Sequence, residues 1–367
     1  MRSVVLLVMC GRRVEKLGGQ DRRWLKVAKL ISEACSARVL INESYAALAK
    51  KTEIPLPSDM DVVSEKRNKY VAYFWLNLVI FFRAFRCKKI HYCGNALEMT
   101  PSAVLIWALL RKNITFSFNG VSVNYLKETG QKKAVVLLRV MNYIACRIEI
   151  LNKTVVSENF FNSKKIRLSN AMYAGPETSV SAIEDSKKIV FAGHLYAAKG
   201  AYLLMRIVET CPDQKFRFVI YGERPSDADL NVNEWIAKIS NHANVSFMNH
   251  ANDMSEAYSD ASVVLSLQTI SNYPSQVVME GLVRGAAVVI VKSGDSERFG
   301  DGPGIFYVPT EFDSSSYWQA ISLASEYSAS KRALISSAAL ENFGAGAYVK
   351  NFMINMGITA NVNGVCN

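Results

Sequence analysis

Lys199 and Glu280 are the two charged residues whose neighbours predict a chemical role. Lys199 stands beside Gly200, between a buried apolar run and an apolar helix predicted to begin at Tyr202. Backbone N–H groups at the start of a helix and a lysine ammonium group both favour a phosphate. Glu280 follows a tight turn at 273–275, and its carboxylate can accept hydrogen bonds from a ribose diol. Together the two segments predict a nucleotide-sugar site.

The spacing of these residues resembles a pattern of the family 4, or group 1, glycosyltransferases. That pattern is G-R-L-x-x-x-K-G followed by E-x7-E-A-x-x-x-G-x-P-V-V. Residues 193–200 read GHLYAAKG, and residues 280–289 read EGLVRGAAVV. His194 stands where the family has arginine, and Asn272 stands where it has the first glutamate. The resemblance is close in the second half of the chain and is one of layout in the first half.

The resemblance implies roles for particular residues of this chain. Lys199 would neutralise the leaving nucleotide diphosphate, and Glu280 would bind the ribose. Asn119, before Gly120, takes the place of a His-Gly pair and is the third catalytic candidate. Asparagine is no general base, but a retaining transfer needs chiefly leaving-group stabilisation and acceptor positioning. The candidates for donor binding are Gly18, Gly19, Gly193, His194, Gly222, Asn272, Tyr273, Ser275, Gln276 and Val277.

The family also implies a fold, which the strand pattern of the sequence supports. Apolar strands alternate with helical patterns in both halves, as doubly wound parallel sheets require. We therefore expect an α/β GT-B architecture of two Rossmann-like domains facing a cleft. The predicted parts are an acceptor domain (1–175), a linker (176–187), a donor domain (188–344), and a crossover helix with its tail (345–367).

Charge divides between the two halves. Residues 1–180 carry 29 Lys and Arg against 13 Asp and Glu, a net charge of +16, whereas residues 181–367 carry a net charge of −5. A strongly basic half favours an anionic partner, either lipid headgroups or nucleic acid. No nucleic-acid-binding motif or basic-aromatic stripe is recognisable, so no nucleic-acid partner is expected. Seven scattered cysteines without CxxC spacing indicate a reducing cytosol.

An uncharged apolar stretch runs from residue 70 to residue 82 between two groups of basic residues. Its thirteen residues are fewer than the roughly 20 needed to span a bilayer. Two interpretations remain open: a helix lying at a membrane surface, or a core helix with a basic exposed end.

The sequence predicts a retaining, metal-independent glycosyltransferase with no cofactor other than its nucleotide-diphosphate sugar. By resemblance, the acceptor would be a polyprenyl-diphosphate-linked or other glycan in O-antigen, capsule or exopolysaccharide synthesis. We expect a cytoplasmic protein in peripheral contact with the anionic inner face of the cell membrane. Because Asn119, His194 and Asn272 depart from the family pattern, a catalytically weak nucleotide-sugar or partner-binding module remains the alternative. A sugar-nucleotide epimerase on the same fold is also open.

Overall fold

Thirteen β-strands in the described residues form two all-parallel sheets, one in each of two units. The computed structural model describes residues 5–10, 19–35, 37–58, 60–65, 68–93, 96–118, 123–153, 160–173, 175, 180, 187–222, 230–248 and 255–358. Unit 1 comprises Met1–Asn170 and Ala345–Asn367, and unit 2 comprises Ala171–Gly344. The second unit is therefore an insertion between two stretches of the first.

The sheet of unit 1 has seven strands in the order β3-β2-β1-β4-β5-β6-β7. The strands are β1 (Val5–Met9), β2 (Ala37–Asn42), β3 (Met60–Val63), β4 (Lys89–Tyr92), β5 (Asn113–Phe118), β6 (Arg147–Ile150) and β7 (Ile166–Leu168). All five residues of β1 are buried, as expected for a central strand covered by helices on both faces.

Seven α-helices of the described chain belong to unit 1. They are α1 (Gly19–Ala34), α2 (Glu43–Lys51), α3 (Lys69–Ala84), α4 (Thr100–Leu105), α5 (Val123–Glu128), α6 (Lys132–Ile144) and, after unit 2, α12 (Ala345–Met356). A π-helical turn, Ile106–Leu110, continues α4 and ends at Arg111, whose φ is 51°. The sequence pattern predicts that the sixth helix extends to Arg147, which is wrong: it ends at Ile144, because Arg147 begins β6.

The C-terminal helix α12 is part of the core of unit 1. Tyr348 and Phe352 are buried. At its C-terminal end, Arg147 Nη1 donates to the carbonyl of Asn355 at 2.7 Å, and Lys89 Nζ donates to the carbonyl of Gly357. These two cations come from strands of the sheet and satisfy carbonyl groups that a helix end leaves unpaired.

A buried polar network lies on the same face of this sheet. His91 accepts or donates hydrogen bonds at 2.9 Å to the hydroxyls of Thr115 and Ser117, and Ser117 donates to the Glu149 carboxylate. Tyr348 of α12 donates to the other oxygen of Glu149 at 3.2 Å. Burial lowers the pKa of His91 to about 3, so its imidazole is neutral. Sequence spacing leaves His91 without a chemical role. In the structure its side chain links β4 to β5 through these hydrogen bonds.

The sheet of unit 2 has six strands in the order β10-β9-β8-β11-β12-β13. The strands are β8 (Lys188–Ala192), β9 (Arg217–Tyr221), β10 (Val245–Met248), β11 (Val263–Ser266), β12 (Ala287–Val291) and β13 (Ile305–Val308). The helices are α7 (Ala201–Glu209), α8 (Leu230–Ser240), α9 (Ser255–Ser259), α10 (Gln276–Val283) and α11 (Ser314–Phe343), which is kinked at Lys331.

The prediction of two Rossmann-like domains with doubly wound parallel sheets is confirmed. Of the predicted linker 176–187, residues 176–179 and 181–186 lie outside the described residues. Residues 171–173 belong to unit 2, because the Ala171 N–H donates to the Tyr273 hydroxyl at 2.7 Å and the Tyr173 N–H donates to the Phe343 carbonyl at 2.8 Å. No helix in the described part of the chain combines the length and the apolar character needed to cross a membrane.

Candidate functional site

The strand order of unit 2 places the residues predicted to bind the sugar donor at the carboxyl ends of its central strands. Strands β8 and β11 are neighbours, and the sheet continues outward from them in opposite directions. In open parallel sheets, ligands bind beyond the carboxyl ends of the strands at this reversal of order. The loop after β8 carries Lys199, and the loop after β11 leads to Glu280. The structure therefore brings these two segments, distant in sequence, to the same end of the sheet, where the strands have their carboxyl ends.

Two glycines bring the loops after β8 and β9 into close contact. Gly193 has φ +149°, and its N–H donates to the Tyr221 carbonyl at 2.9 Å. A Cβ atom on Gly222 would collide with the Gly193 carbonyl oxygen. Only a residue without a side chain fits at 222 while these loops keep their positions. Around Gly193, by contrast, the space for a Cβ is open.

Lys199 ends a single 3₁₀ turn, Ala197–Lys199, immediately before α7. Gly200 makes the entry to the helix with φ +87°, and a Cβ there would collide with the Leu267 carbonyl oxygen after β11. The Thr269 N–H donates to the Ala198 carbonyl at 3.1 Å and ties the same two loops together. The turn therefore holds the lysine between the carboxyl ends of β8 and β11.

The ammonium of Lys199 faces a neutral partner. Its Nζ donates to the amide oxygen of Gln268 at 2.6 Å, and no carboxylate within the described ranges forms an ion pair with it. Burial lowers the pKa of Lys199 below the ordinary value of lysine. A half-buried cation without an anionic partner gains stabilisation when an anion binds. This arrangement is suited to a phosphate.

Gln268 joins Lys199 to a buried network around Asn272. The Gln268 side-chain N–H donates to Asn272 Oδ1 at 3.3 Å, and Asn272 Nδ2 donates to the Ser266 carbonyl at 2.7 Å. The Ser266 hydroxyl donates to Asn272 Oδ1 at 2.6 Å and lies 3.3 Å from the hydroxyl of Ser275. Asn272 is fully buried, so its side chain supports the loop after β11 from the interior of the protein. A glutamate, which the family 4 pattern has at this position, has no N–H with which to satisfy that carbonyl.

Tyr273 is a core residue, although its position in the turn makes it a candidate for donor binding. Its ring lies 4.9 Å from that of Phe299 between centroids, and the Arg298 guanidinium lies 4.3 Å from the Tyr273 centroid. Its hydroxyl accepts the Ala171 N–H, and its peptide bond to Pro274 is cis. The side chain thus anchors the turn, and a contact of Tyr273 with the donor stays a prediction.

Gln276 and Val277 begin α10, and this helix start is suited to anion binding through the backbone. Ser275 is the N-cap, but no side-chain hydrogen bond from it caps the first turn. The first turn of α7 likewise has no side-chain cap. Uncapped N–H groups at a helix start bind phosphate oxygens readily. The Gln276 side chain instead donates to the Met172 carbonyl at 3.3 Å.

Glu280 is the fifth residue of α10 and lies in its second turn. Tyr258 belongs to α9, which contacts α10, and its ring is buried. Burial first, and then the charges of Glu280 and Tyr221, raise the pKa of Tyr258 well above its ordinary value. The Tyr258 hydroxyl has no hydrogen-bond partner within the described chain. A buried hydroxyl without a partner is unusual and calls for a ligand or water.

The remaining predicted residues are His194, Gly18, Gly19 and Asn119. His194 is exposed in the loop after β8, with its ring centroid 5.7 Å from that of Tyr196. Gly19 is the first residue of α1 in unit 1. Gly18 and Asn119 lie outside the described residues. Sequence reasoning missed Gln268 and Tyr258; for Gln268, a polar residue two positions after an apolar strand was the available signal.

A family model for group 1 glycosyl transferases matches residues 186–325, the segment that carries this edge of the sheet. Among curated proteins, no sequence matches the chain significantly. Among solved structures, HepE of Anabaena in complex with UDP is similar over 97% of this chain and 100% of that chain, with 16% identity and a TM-score of 0.70. The fold is GT-B.

Two further structures show the same fold at 10% identity. A point mutant of S. aureus TarM, in complex with fondaparinux, α-GlcNAc-glycerol and UDP, has a TM-score of 0.62 over 97% of this chain and 100% of that chain. The lipopolysaccharide outer core galactosyltransferase WaaB has a TM-score of 0.63 over 96% and 99%. The matched family model and the fold together indicate a glycosyltransferase.

Proposed function

We propose that this GT-B protein is a retaining, metal-independent family 4 glycosyltransferase that uses a nucleotide-diphosphate sugar. The observation that carries the proposal is the half-buried Lys199 ammonium, which faces only the neutral amide of Gln268 at 2.6 Å among the described residues. A diphosphate at the carboxyl edge of the unit 2 sheet would supply the missing negative charge. HepE was solved with UDP and with UDP-glucose, and the TarM mutant with UDP, which is consistent with such a donor.

Charge stabilisation is the catalytic contribution that this site can make. Negative charge grows on the diphosphate as the bond to the sugar breaks, and an ammonium group already in place stabilises that charge without reorganisation. The uncapped N–H groups that begin α7 and α10 add to the same effect. Lys199 and these two helix starts would replace the divalent ion that other transferases use, and we therefore propose metal-independent transfer.

Glu280 is proposed to hold the ribose, and the donor would be the only small molecule required besides the acceptor. We place the acceptor among membrane-linked glycans or lipids of cell-surface polysaccharide synthesis, such as a polyprenyl-diphosphate sugar. The net charge of +16 on residues 1–180 supports an anionic, membrane-bound acceptor. The protein would act at the cytoplasmic face of the membrane, which agrees with the six free cysteines of the described residues.

Donor binding and transfer can be tested with the purified full-length chain. We expect one of UDP, GDP or dTDP to raise the melting temperature, and the corresponding nucleotide sugar to be hydrolysed slowly without acceptor. The anomeric configuration of the first transferred product, read by NMR, should equal that of the donor. Activity should persist in EDTA. Inversion of the configuration, or full loss of activity in EDTA, would contradict the retaining or the metal-independent assignment.

The alternative is a catalytically weak GT-B protein that binds a nucleotide sugar or a partner enzyme. It is favoured by Asn272, whose side chain is buried and bonded to backbone carbonyls where the family pattern has an acid. Such a protein would bind the nucleotide through Lys199, as the transferase would. It would neither hydrolyse the nucleotide sugar nor transfer the sugar to an acceptor. Single-turnover measurement with radiolabelled donor distinguishes the two, because even slow transfer leaves labelled product.

A further inference from the structure

The outer side of α3 exposes a row of large apolar side chains. Tyr70 is 81% exposed and Phe74 is 68% exposed, and the row runs the length of the helix and its C-cap: Tyr70, Val71, Phe74, Trp75, Phe82 and Phe85. Their spacing of three and four residues keeps them on one side of the helix. Leu76 and Ile80, on the other side, are buried in the core. The helix is therefore apolar both where it packs on the unit and where it meets solvent.

The neighbouring helices share this property. Leu109 and Trp107, in the π-helical turn after α4, are exposed, as are Val136 and Tyr143 of α6. The rings of Trp107 and Tyr143 lie 5.8 Å apart between centroids and join the exposed rows of these two elements. Helix α4 contacts α3 as well as α6. We call the exposed apolar residues of α3, α4 with its π-helical turn, and α6 the aromatic face.

The charged side chains on the helices of the aromatic face are all basic. Residues 69–84, 100–110 and 132–144, which form these elements, include no Asp or Glu. Exposed basic side chains border the face on α6 and beyond the ends of α3 and the π-helical turn: Lys132, Lys133, Arg139, Arg86, Lys88 and Arg111. Single exposed apolar residues are normal in proteins, but a set of this extent on adjacent helices marks an interaction site.

We propose that the aromatic face docks on an anionic lipid bilayer. Trp and Tyr side chains favour the membrane–water interface, and Lys and Arg beside them attract acidic headgroups. A second copy of the chain would bring two basic surfaces together, which disfavours self-association through this face. The proposal deepens the proposed function, on which it rests for its membrane-linked acceptor, by assigning the surface that would bring the protein to that acceptor.

Vesicle binding of the full-length chain tests the proposal without donor or acceptor. We expect sedimentation with vesicles of phosphatidylglycerol and phosphatidylethanolamine, and much weaker binding to phosphatidylcholine vesicles. Trp75 and Trp107 are exposed on the face, so lipids with brominated acyl chains should quench part of the tryptophan fluorescence. The double variant Trp75→Phe, Trp107→Phe should lose that quenching while still sedimenting with the vesicles.

Matched variants distinguish membrane binding through the aromatic face from nonspecific adsorption of exposed apolar residues. Phe74→Ser with Phe82→Ser should lower the partition coefficient about tenfold or more, because each removes an exposed aromatic ring. Leu323→Ser with Leu334→Ser, which changes exposed apolar residues of α11 in unit 2, should leave binding unchanged. Arg139→Glu should weaken binding at low salt more than Lys215→Glu, an equivalent exposed change in unit 2.

Each outcome bears on the proposal. Equal binding of wild type and the Phe74, Phe82 variant would overturn it, as would a concentration-dependent dimer, seen without lipid, that this variant abolishes. The melting-temperature shift with UDP, GDP or dTDP is measured on the same samples. A shift without vesicle binding would refute the docking surface and leave the donor site intact. Vesicle binding without any nucleotide effect would refute the proposed transferase and leave the surface.

Discussion

At the scale of single residues, the chemistry of the candidate site depends on the charge of Lys199. Only the protonated amine attracts a diphosphate, and burial lowers its pKa from the ordinary lysine value. Nucleotide diphosphate affinity should therefore fall as pH rises through this lowered pKa, at a pH where an exposed lysine is still charged. Calorimetric titration between pH 7 and pH 10, with whichever of UDP, GDP or dTDP stabilises the protein, measures the effect.

Variants at this position sharpen the prediction. Lys199→Ala should weaken binding by about 1.5 to 3 kcal/mol, or roughly tenfold and more, and Lys199→Arg should remove the pH dependence. Gln268→Glu would place a carboxylate against the ammonium and compete with the phosphate, so it too should weaken binding. Lys215→Ala, in an exposed loop, is the control. Unchanged affinity in Lys199→Ala would contradict the assignment.

Tyr258 offers a second test at the residue scale. Its buried hydroxyl has no partner in the part of the chain that the structure describes, and the charge of Glu280 acts on it. Removing an unsatisfied hydroxyl with Tyr258→Phe should leave the free energy of unfolding unchanged or about 1 kcal/mol higher. Nucleotide affinity should fall by up to about tenfold, because the bound ligand then loses its hydrogen bond with this hydroxyl. A stability loss with unchanged affinity would show a purely structural role.

At the scale of elements, glycines decide how closely the strand-end loops approach each other. Gly222→Ala would drive a methyl group into the Gly193 carbonyl and push the loops after β8 and β9 apart. We expect a loss of about 1 to 3 kcal/mol of stability and weaker nucleotide binding. Gly302→Ala, in a roomier loop of the same unit, should change neither. Chemical denaturation and nucleotide titration check both variants.

At the scale of the whole molecule, the chain returns to unit 1 after completing unit 2. Phe352 of α12 is fully buried, and its ring centroid lies 4.9 Å from that of His91. Phe352→Ala should therefore destabilise unit 1 by about 3 to 5 kcal/mol. Nucleotide affinity in unit 2 should persist under conditions where both units remain folded. Ile354→Ala, at an exposed position of the same helix, is the control in urea unfolding. Equal stability of the two variants would show that α12 contributes little to the fold.

The sequence by itself was sufficient to predict the alternation of strands and helices, because apolar runs and helical spacing are local features. Local features also mark the segments of Lys199 and Glu280, where a glycine-bounded loop or a turn precedes a helix. The parallel sheets and the C-terminal helix Ala345–Met356 followed from the same signals and are confirmed. The limits of helices next to short strands did not follow from these signals, as Arg147 shows. A helix and the strand after it compete for the same residues.

Only the tertiary structure decided which side chains meet. Lys199 and Gln268 are 69 residues apart, and their contact exists because β8 and β11 are adjacent in the sheet. The approach of Gly222 to Gly193, and the Glu149 contact with Tyr348 across 199 residues, likewise depend on chain packing. The apolar stretch 70–82 shows the same limit: hydrophobicity alone does not distinguish a core helix from a surface one, and the packing of α3 buries one side while exposing the other. Burial is a property of the fold, because it depends on which elements cover a residue from elsewhere in the chain.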